Sequence, residues 1–294
     1  MRHHIFSRST HHMFSKAFLL FLFCLFLSGQ ISSQVIGVNP PLPTAGQAVD
    51  IILNTQGTEL EGYQGNIYVH TGVNNWQHVI GSWGNNNTQP RAFPIGNNLY
   101  RLEIRPNIRA FYNVPAATEI SRLAMVFRSA DGSRQTRPDI FVDVYPPGLR
   151  TAFISPSGLQ NIVELNEFVD IRAAANESDS LVLYINQQRF ESTTTGQIAL
   201  QLQASFSGRI DLRAIAYGQS QTAEASAHFF VRPDVTSEPL PQGVRNGINY
   251  INNQTVTLVL HDPPAKKQHA FVLGDFNNWS VGEESYMKRS PDGK

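Results

Sequence analysis

The sequence predicts an all-β chain of antiparallel sandwiches in tandem, the last of them incomplete. Three observations carry this reading. Apolar residues recur with period two in segment after segment, clusters of Gly, Asn, Asp and Ser separate those segments, and no stretch sustains a helical period.

The N-terminus reads as a leader. Arg2, Arg8 and Lys16 precede an unbroken apolar run from Ala17 to Leu27, and Ser28 to Gln34 are mostly small or polar. That order is the one a secretory signal peptide needs, so residues 1–34 are expected to be removed near Gln34–Val35. The apolar run falls short of the roughly 20 residues of a bilayer crossing, so no membrane span is expected. Cys24 is the only cysteine and lies in this leader. Phe23 stands before it, where a lipid-attachment cysteine wants a small residue. The exported chain then has no disulfide and no thiolate metal site, and core burial must hold it together. Without Arg2, Arg8 and Lys16, the 23 basic residues fall to 20 against 23 acidic ones. That slight negative balance argues against a nucleic acid as partner, which requires a basic footprint. The expected location is secreted, periplasmic or at the cell surface.

Residues 35–147 form the first expected domain. Tyr100, Leu102 and Ile104 alternate with Arg101, Glu103 and Arg105, and Ile140, Val142 and Val144 alternate with Phe141 and Asp143. Each reads as a strand with one buried face. Gly96-Asn97-Asn98 and Asp131-Gly132-Ser133 are turn signals. Pro115 to Leu123, with Ile120 and Leu123 three apart, is the one candidate for a short helix. Tyr145-Pro146-Pro147-Gly148 then stiffens the path and removes ladder donors, which marks a boundary.

The second expected domain covers 148–233. Ile198, Leu200 and Leu202 form one strand face and Ile210, Leu212 and Ala214 another, with Ser207-Gly208 between them. Its aromatics, Phe153, Phe168, Tyr184, Phe190, Phe206, Tyr217, Phe229 and Phe230, fall mostly in apolar runs and are expected in the core. Its length suits an immunoglobulin-like sandwich, and its default role is a spacer. Arg232 to Pro241 reads as a second linker. The third expected domain, 241–294, supplies about four strands, Val256, Leu258 and Leu260 forming one buried face. A sandwich needs roughly seven. Ser290-Pro291-Asp292-Gly293-Lys294 reads as a hairpin apex without its return strand, so the reading frame is expected to continue.

Chemistry-bearing residues cluster in two places. Tyr63, Tyr68, His70-Thr71-Gly72-Val73, Asn74-Asn75-Trp76 and Trp83-Gly84-Asn85-Asn86-Asn87 fall close together in the first domain. Sugar rings present C–H faces that stack on indoles, and their hydroxyls suit amides and imidazole, so Tyr68, His70, Trp76 and Trp83 are candidate carbohydrate contacts. One of the two indoles is expected in the core and the other at the surface. The second place is Phe271 to Trp279, a strand, a Gly-Asp turn and an aromatic beside two amides; Asn278 and Trp279 are its candidates.

Phe271-Val272-Leu273-Gly274-Asp275-Phe276-Asn277-Asn278-Trp279, followed by Arg289 and Asp292-Gly293, resembles carbohydrate-binding module family 48, the N-terminal module of isoamylases and glycogen-branching enzymes. The resemblance covers about the last 25 residues. It implies that an α-amylase-type (β/α)₈ barrel of glycoside hydrolase family thirteen follows, and that Trp279 stacks on sugar; the alternative is that Trp279 packs under the module. The Tyr68-Val69-His70-Thr71-Gly72-Val73 stretch with Trp76 and Trp83 is similar to the N-terminal domain of secreted amylase-type proteins from Bacteroidetes and to starch-binding modules of families 25 and 26. There, Trp/Tyr platforms and a His meet the glucan.

No catalytic residues, metal ligands or cofactor are expected in this chain. His70 and His78 stand eight apart without a carboxylate pattern. Glu283 and Glu284 are adjacent, whereas glycosidase carboxylates must face each other across a cleft. No phosphate loop, nucleophile elbow or zinc-protease motif occurs. The expected function is the α-glucan-binding and spacer region of a secreted α-amylase-superfamily protein whose barrel lies outside this chain. Its expected partners are α-glucan polysaccharide and that barrel. The alternative is a non-catalytic surface glycan-binding or adhesin-like protein.

Overall fold

The computed structural model describes residues 3–4, 35–158, 161–262 and 267–291. The leader and the Asp292-Gly293 turn lie outside these residues, apart from a two-residue strand β1 (His3–His4) paired with Lys288–Arg289. Among the described residues no helix is long and apolar enough to cross a membrane. The fold is all-β, with sheets that are antiparallel almost throughout.

The first unit contains β2 (Ile36–Asn39), β3 (Val49–Asn54), β4 (Ile67–Val73), β5 (Gln77–Ile80), β6 (Arg91–Gly96), β7 (Leu99–Ile104), the single-turn helix α1 (Ile108–Phe111), β8 (Arg122–Ser129) and β9 (Ile140–Asp143). Strand order is β2-β3-β7-β6-β4-β8-β9, with β5 added to β4. β6 joins the two halves: Ala92 pairs with Ile67 of β4, and Phe93 pairs with Arg101 of β7. The inward faces, Val49, Ile51, Leu53, Ile67, Val69, Leu102, Ile104 and Phe127, share one core. Tyr112 is also fully buried there, its hydroxyl 2.6 Å from Thr71 Oγ1. That apolar site pushes the phenol pKa far upward, and the Thr71 hydrogen bond opposes the shift only in part.

The single-turn helix lies at Ile108–Phe111, before the expected Pro115–Leu123. Asn107 caps it by accepting from Ala110 N–H, whereas Leu123 is a core residue of β8. The three-residue spacing of Ile120 and Leu123 arises from a loop running into a strand.

The second unit is a sandwich of a three-stranded sheet, β10 (Arg150–Ser155), β12 (Phe168–Asn176) and β15 (Gln197–Gln203), on a five-stranded one. The latter has the order β11 (Ile162–Val163), β17 (Thr222–Val231), β16 (Gly208–Tyr217), β13 (Ser180–Ile185), β14 (Gln188–Thr193), with β11 parallel to β17. Ile171, Leu181, Leu183, Ile198, Leu212, Phe229 and Val231 fill the space between them. Several expected core aromatics lie outside it. Phe168, Phe206 and Tyr217 are exposed. Val169 and Ile171 take the inward positions of β12, as Leu212, Ala214 and Ala216 do in β16, so alternation turns Phe168 and Tyr217 outward.

Beyond residue 241, β18 (Gly247–Asn252) and β19 (Thr255–Val259) form a lone hairpin, followed by two single 3₁₀ turns at Asp275–Asn277 and Glu283–Ser285 and by β20 (Lys288–Arg289). Among the described residues this hairpin is a two-stranded sheet. The buried face of β19 is also the opposite of the expected one: Thr257 and Val259 are buried, while Val256 and Leu260 are exposed. With one partner strand, hydrophobic alternation does not decide which face is covered. The 3₁₀ segment instead docks on the second unit. Phe271 stacks on Tyr286 with centroids 4.8 Å apart, and both meet Phe230 of β17 edge-on. The Pro-rich linker is held as well: Glu238 N–H donates to Arg289 O and Arg289 N–H to Thr236 O.

Candidate functional site

The outer face of β4 and β8 carries a built polar site. On β4, Ile67 and Val69 point into the core, so alternation places Tyr68 and His70 on the opposite face. Register puts Tyr68 opposite Arg128 of β8. Gly72 lies on the same outer face. A Cβ there would stand 2.7 Å from Gln77 O, so glycine is what lets the β4–β5 hairpin fold back over the sheet. The hairpin turn is made by Asn74 and Trp76 in left-handed backbone, φ +52° and +55°. Asn74 fixes it to the sandwich: its Nδ2 donates to Glu119 O, and its Oδ1 accepts from Ser121 N–H and Oγ–H.

The loop from 81 to 89 brings the second indole. Gly81 adopts φ +70°, and a Cβ there would sit 2.5 Å from Thr88 O, so this loop closes tightly on itself. Ser82 N–H donates to Thr88 Oγ1, and Asn87 N–H donates to Asn85 Oδ1.

Both indoles meet on His70. Trp76 stacks on the imidazole with centroids 5.2 Å apart at 26°, and Trp83 approaches edge-on at 4.9 Å and 80°. Trp83 is 55% exposed and Trp76 is half-buried. The expectation that one indole fills the core is not met: Tyr112 and Phe127 are the large aromatics buried in this unit's core.

Beneath His70 lies a relay that the sequence does not advertise. Gln89 Nε2 is 2.9 Å from His70 Nδ1, and Arg128 Nε donates to Gln89 Oε1 at 2.7 Å. Gln89 and Arg128 are only 5% and 3% exposed. The guanidinium also donates to Ser129 O and to Asn86 Oδ1, and lies over the Tyr68 ring at 5.6 Å. Burial and the Arg128 charge hold the His70 pKa below the usual histidine value, with Asp139 acting in the other direction. A buried cation satisfied by neutral acceptors is costly and marks a functional candidate. Asn74 and Asn86 are engaged in this framework, so the exposed amides are those of Asn75, Asn85 and Asn87.

The second predicted cluster is built locally. Asn277 ties its own turn, accepting from Gly274 N–H and donating to Val272 O. Trp279 is exposed, and its indole N–H donates to Asp275 Oδ1 at 2.9 Å. Asn278 is exposed in left-handed backbone, φ +51°. Glu283 and Glu284 are exposed residues of the second 3₁₀ turn, not of a strand.

No family model matches the sequence. No curated protein matches it either. The resemblance to carbohydrate-binding module family 48 therefore rests on Phe271–Trp279 and the following Arg289 and Asp292-Gly293 alone. Solved structures are similar to parts of the chain. One is the Bacteroides ovatus mixed-linkage glucan utilization locus protein SGBP-B in complex with a mixed-linkage heptasaccharide: 15% identity, 73% of this chain, 47% of that one, TM-score 0.26. A biofilm associated protein BSP domain gives 13% identity, 65% and 28% coverage, TM-score 0.30. A Bacteroides uniformis β-glucuronidase gives 12% identity, 42% and 16% coverage, TM-score 0.24. This chain spans less than half of each of these three. Likeness at this level assigns neither ligand nor activity to this protein.

Proposed function

We propose that this chain is the α-glucan-binding and spacer region of an exported protein, with Trp76, His70 and Trp83 as its sugar platform. The observation that supports it most is the meeting of two indoles on one imidazole, held from below by buried Gln89 and Arg128. An exposed indole offers flat apolar area to a pyranose face, and a fixed imidazole beside it selects orientation through one hydrogen bond. The choice of α-glucan comes from the resemblance of Tyr68–Val73, with Trp76 and Trp83, to starch-binding modules and from that of Phe271–Trp279 to carbohydrate-binding module family 48. That resemblance also names an α-amylase-type barrel as the catalytic partner, fused beyond this chain. The second unit then acts as the spacer that carries the platform, and Trp279 with Asn278 supplies a weaker second contact.

Affinity electrophoresis of the purified chain tests the proposal. Retardation in amylopectin gels, lost in Trp83→Ala, is the expected outcome. Free migration in amylopectin, or retardation only in a β-glucan gel, would overturn the α-glucan assignment.

A further inference from the structure

The Gln89 amide is oriented from its buried side. Arg128 Nε–H can only donate, so the Gln89 atom 2.7 Å from it is the carbonyl Oε1. The amide nitrogen therefore faces His70 Nδ1 at 2.9 Å. An NH₂ group only donates, so Nδ1 must present its lone pair, and the proton of neutral His70 sits on Nε2. Arg128 Nη1 and Nη2 each donate one bond, to Ser129 O and Asn86 Oδ1, Asn86 is itself anchored to Ala130 O, and Arg128 is only 3% exposed. The guanidinium is thus used inside the fold and is not presented to a ligand.

We propose that Gln89 and Arg128 are positioning residues that hold His70 as a neutral imidazole with its proton on Nε2. The platform then offers one directional N–H to an oxygen of an uncharged sugar. This rests on the sugar-binding reading above and adds the ligand's charge class and the residues that enforce it.

The groups that face His70 come from four elements. Arg128 on β8 opposes its protonation, Asp139 before β9 favours it, Gln89 from the 81–89 loop donates to Nδ1, and the Trp76 and Trp83 rings cover it. Protonation would place an Nδ1–H against the Gln89 NH₂ group, so acid breaks the relay at its central bond. Glycan binding should be level across neutral pH and fall in acid, below the ordinary histidine pKa of about 6.5.

The test uses the whole chain labelled with ¹⁵N. Long-range imidazole ¹H–¹⁵N correlation reads which nitrogen of His70 carries the proton without ligand, the signal being assigned through His70→Gln. Wild type should show Nε2–H. Gln89→Glu keeps the shape, gives Arg128 a carboxylate and accepts from Nδ1, so it should move the proton to Nδ1, raise the His70 pKa, and weaken amylopectin binding about 3- to 10-fold. Circular dichroism confirms the fold of each variant. An Nδ1–H tautomer in wild type would overturn the relay itself. A tautomer switch in Gln89→Glu without loss of affinity would overturn the donor role. Retardation by polygalacturonate equal to that by amylopectin would overturn the uncharged ligand. An Nε2–H tautomer in a chain that neither amylopectin nor a β-glucan gel retards would remove the sugar-binding reading and, with it, the donor role.

Discussion

Asn74-Asn75-Trp76 and Asn277-Asn278-Trp279 are the same tripeptide, and each turns through left-handed backbone, with φ near +55° at both tryptophans. Their surroundings differ. Asn74 bonds to residues 45 and 47 positions away, and Trp76 lies on His70. Asn277 bonds only within its own loop, and the Trp279 indole N–H is held by Asp275, four residues before it. The first indole belongs to a site assembled from four separate strands and loops. The second is presented by one local turn on a segment docked against the second unit. A shared motif therefore sets the local bend, while tertiary partners decide whether a site forms around it.

Removing the docking surface separates the two loops most strongly. Phe230 is fully buried beneath Phe271 and Tyr286, and Phe230→Ala should cost about 3–5 kcal/mol. Limited proteolysis should then cut within 233–291 while the 35–147 unit stays intact. Equal cleavage in both regions would show that the loops depend on each other.

Binding should separate them next. Trp83→Ala should lose about 1–3 kcal/mol of glucan affinity, by analogy with stacked bases, or roughly 5- to 150-fold. Trp279→Ala should stay within about 0.5 kcal/mol, the range of an isolated surface substitution. Losses of similar size would make the two sites equivalent.

Asn74→Ala sharpens the structural side. It leaves Glu119 O and Ser121 N–H without their partner, so stability in urea should fall by about 1–2 kcal/mol, with a further loss of glucan binding as Trp76 shifts. Asn277→Ala should cost less, because its loop is solvent-exposed and closes on itself.

Much of this architecture was readable in the residues. The alternation at Leu102/Ile104, Ile198/Leu200/Leu202 and Ile210/Leu212/Ala214 was correctly assigned to buried faces, because each strand has neighbours on both sides or a sheet packed over it. The same alternation at Val256/Leu258/Leu260 failed where a lone hairpin leaves the choice of face to whatever docks on it. Tyr68, His70, Trp76 and Trp83 were legible as aromatic and imidazole side chains near one another in sequence. Gln89 and Arg128 were not. They are 39 positions apart, and an Arg at an outward strand position reads as solvated. The signal that could have found Arg128 is its register opposite Tyr68, which needs strand pairing and not periodicity.

The smallest effect is on pH. Burial, more than the Arg209 charge, lowers the His228 pKa, against the pull of Asp211, and burial with Arg128 lowers that of His70. In both cases the unfolded chain binds a proton first, so stability should decline as pH falls below about 6.5, the unfolded value. Asp131, held at about 2 by hydrogen bonds from Ser129 and Ser133, acts oppositely in charge. Its contribution persists until pH drops below the ordinary aspartate range and is lost towards pH 2. Melting temperature against pH, in wild type and in His228→Gln, should show the first decline become shallower in the variant.

The first Asn-Asn-Trp should carry most of the glucan affinity, and the second only a weaker contact. Isothermal titration of the whole chain with a maltooligosaccharide, comparing wild type, Trp83→Ala, His70→Ala and Trp279→Ala, tests it directly. Trp83→Ala and His70→Ala should each lose most of the binding heat and affinity, while Trp279→Ala should retain nearly all of both. Retained binding in folded Trp83→Ala and His70→Ala, with loss in Trp279→Ala, would contradict it and move the site to the third segment.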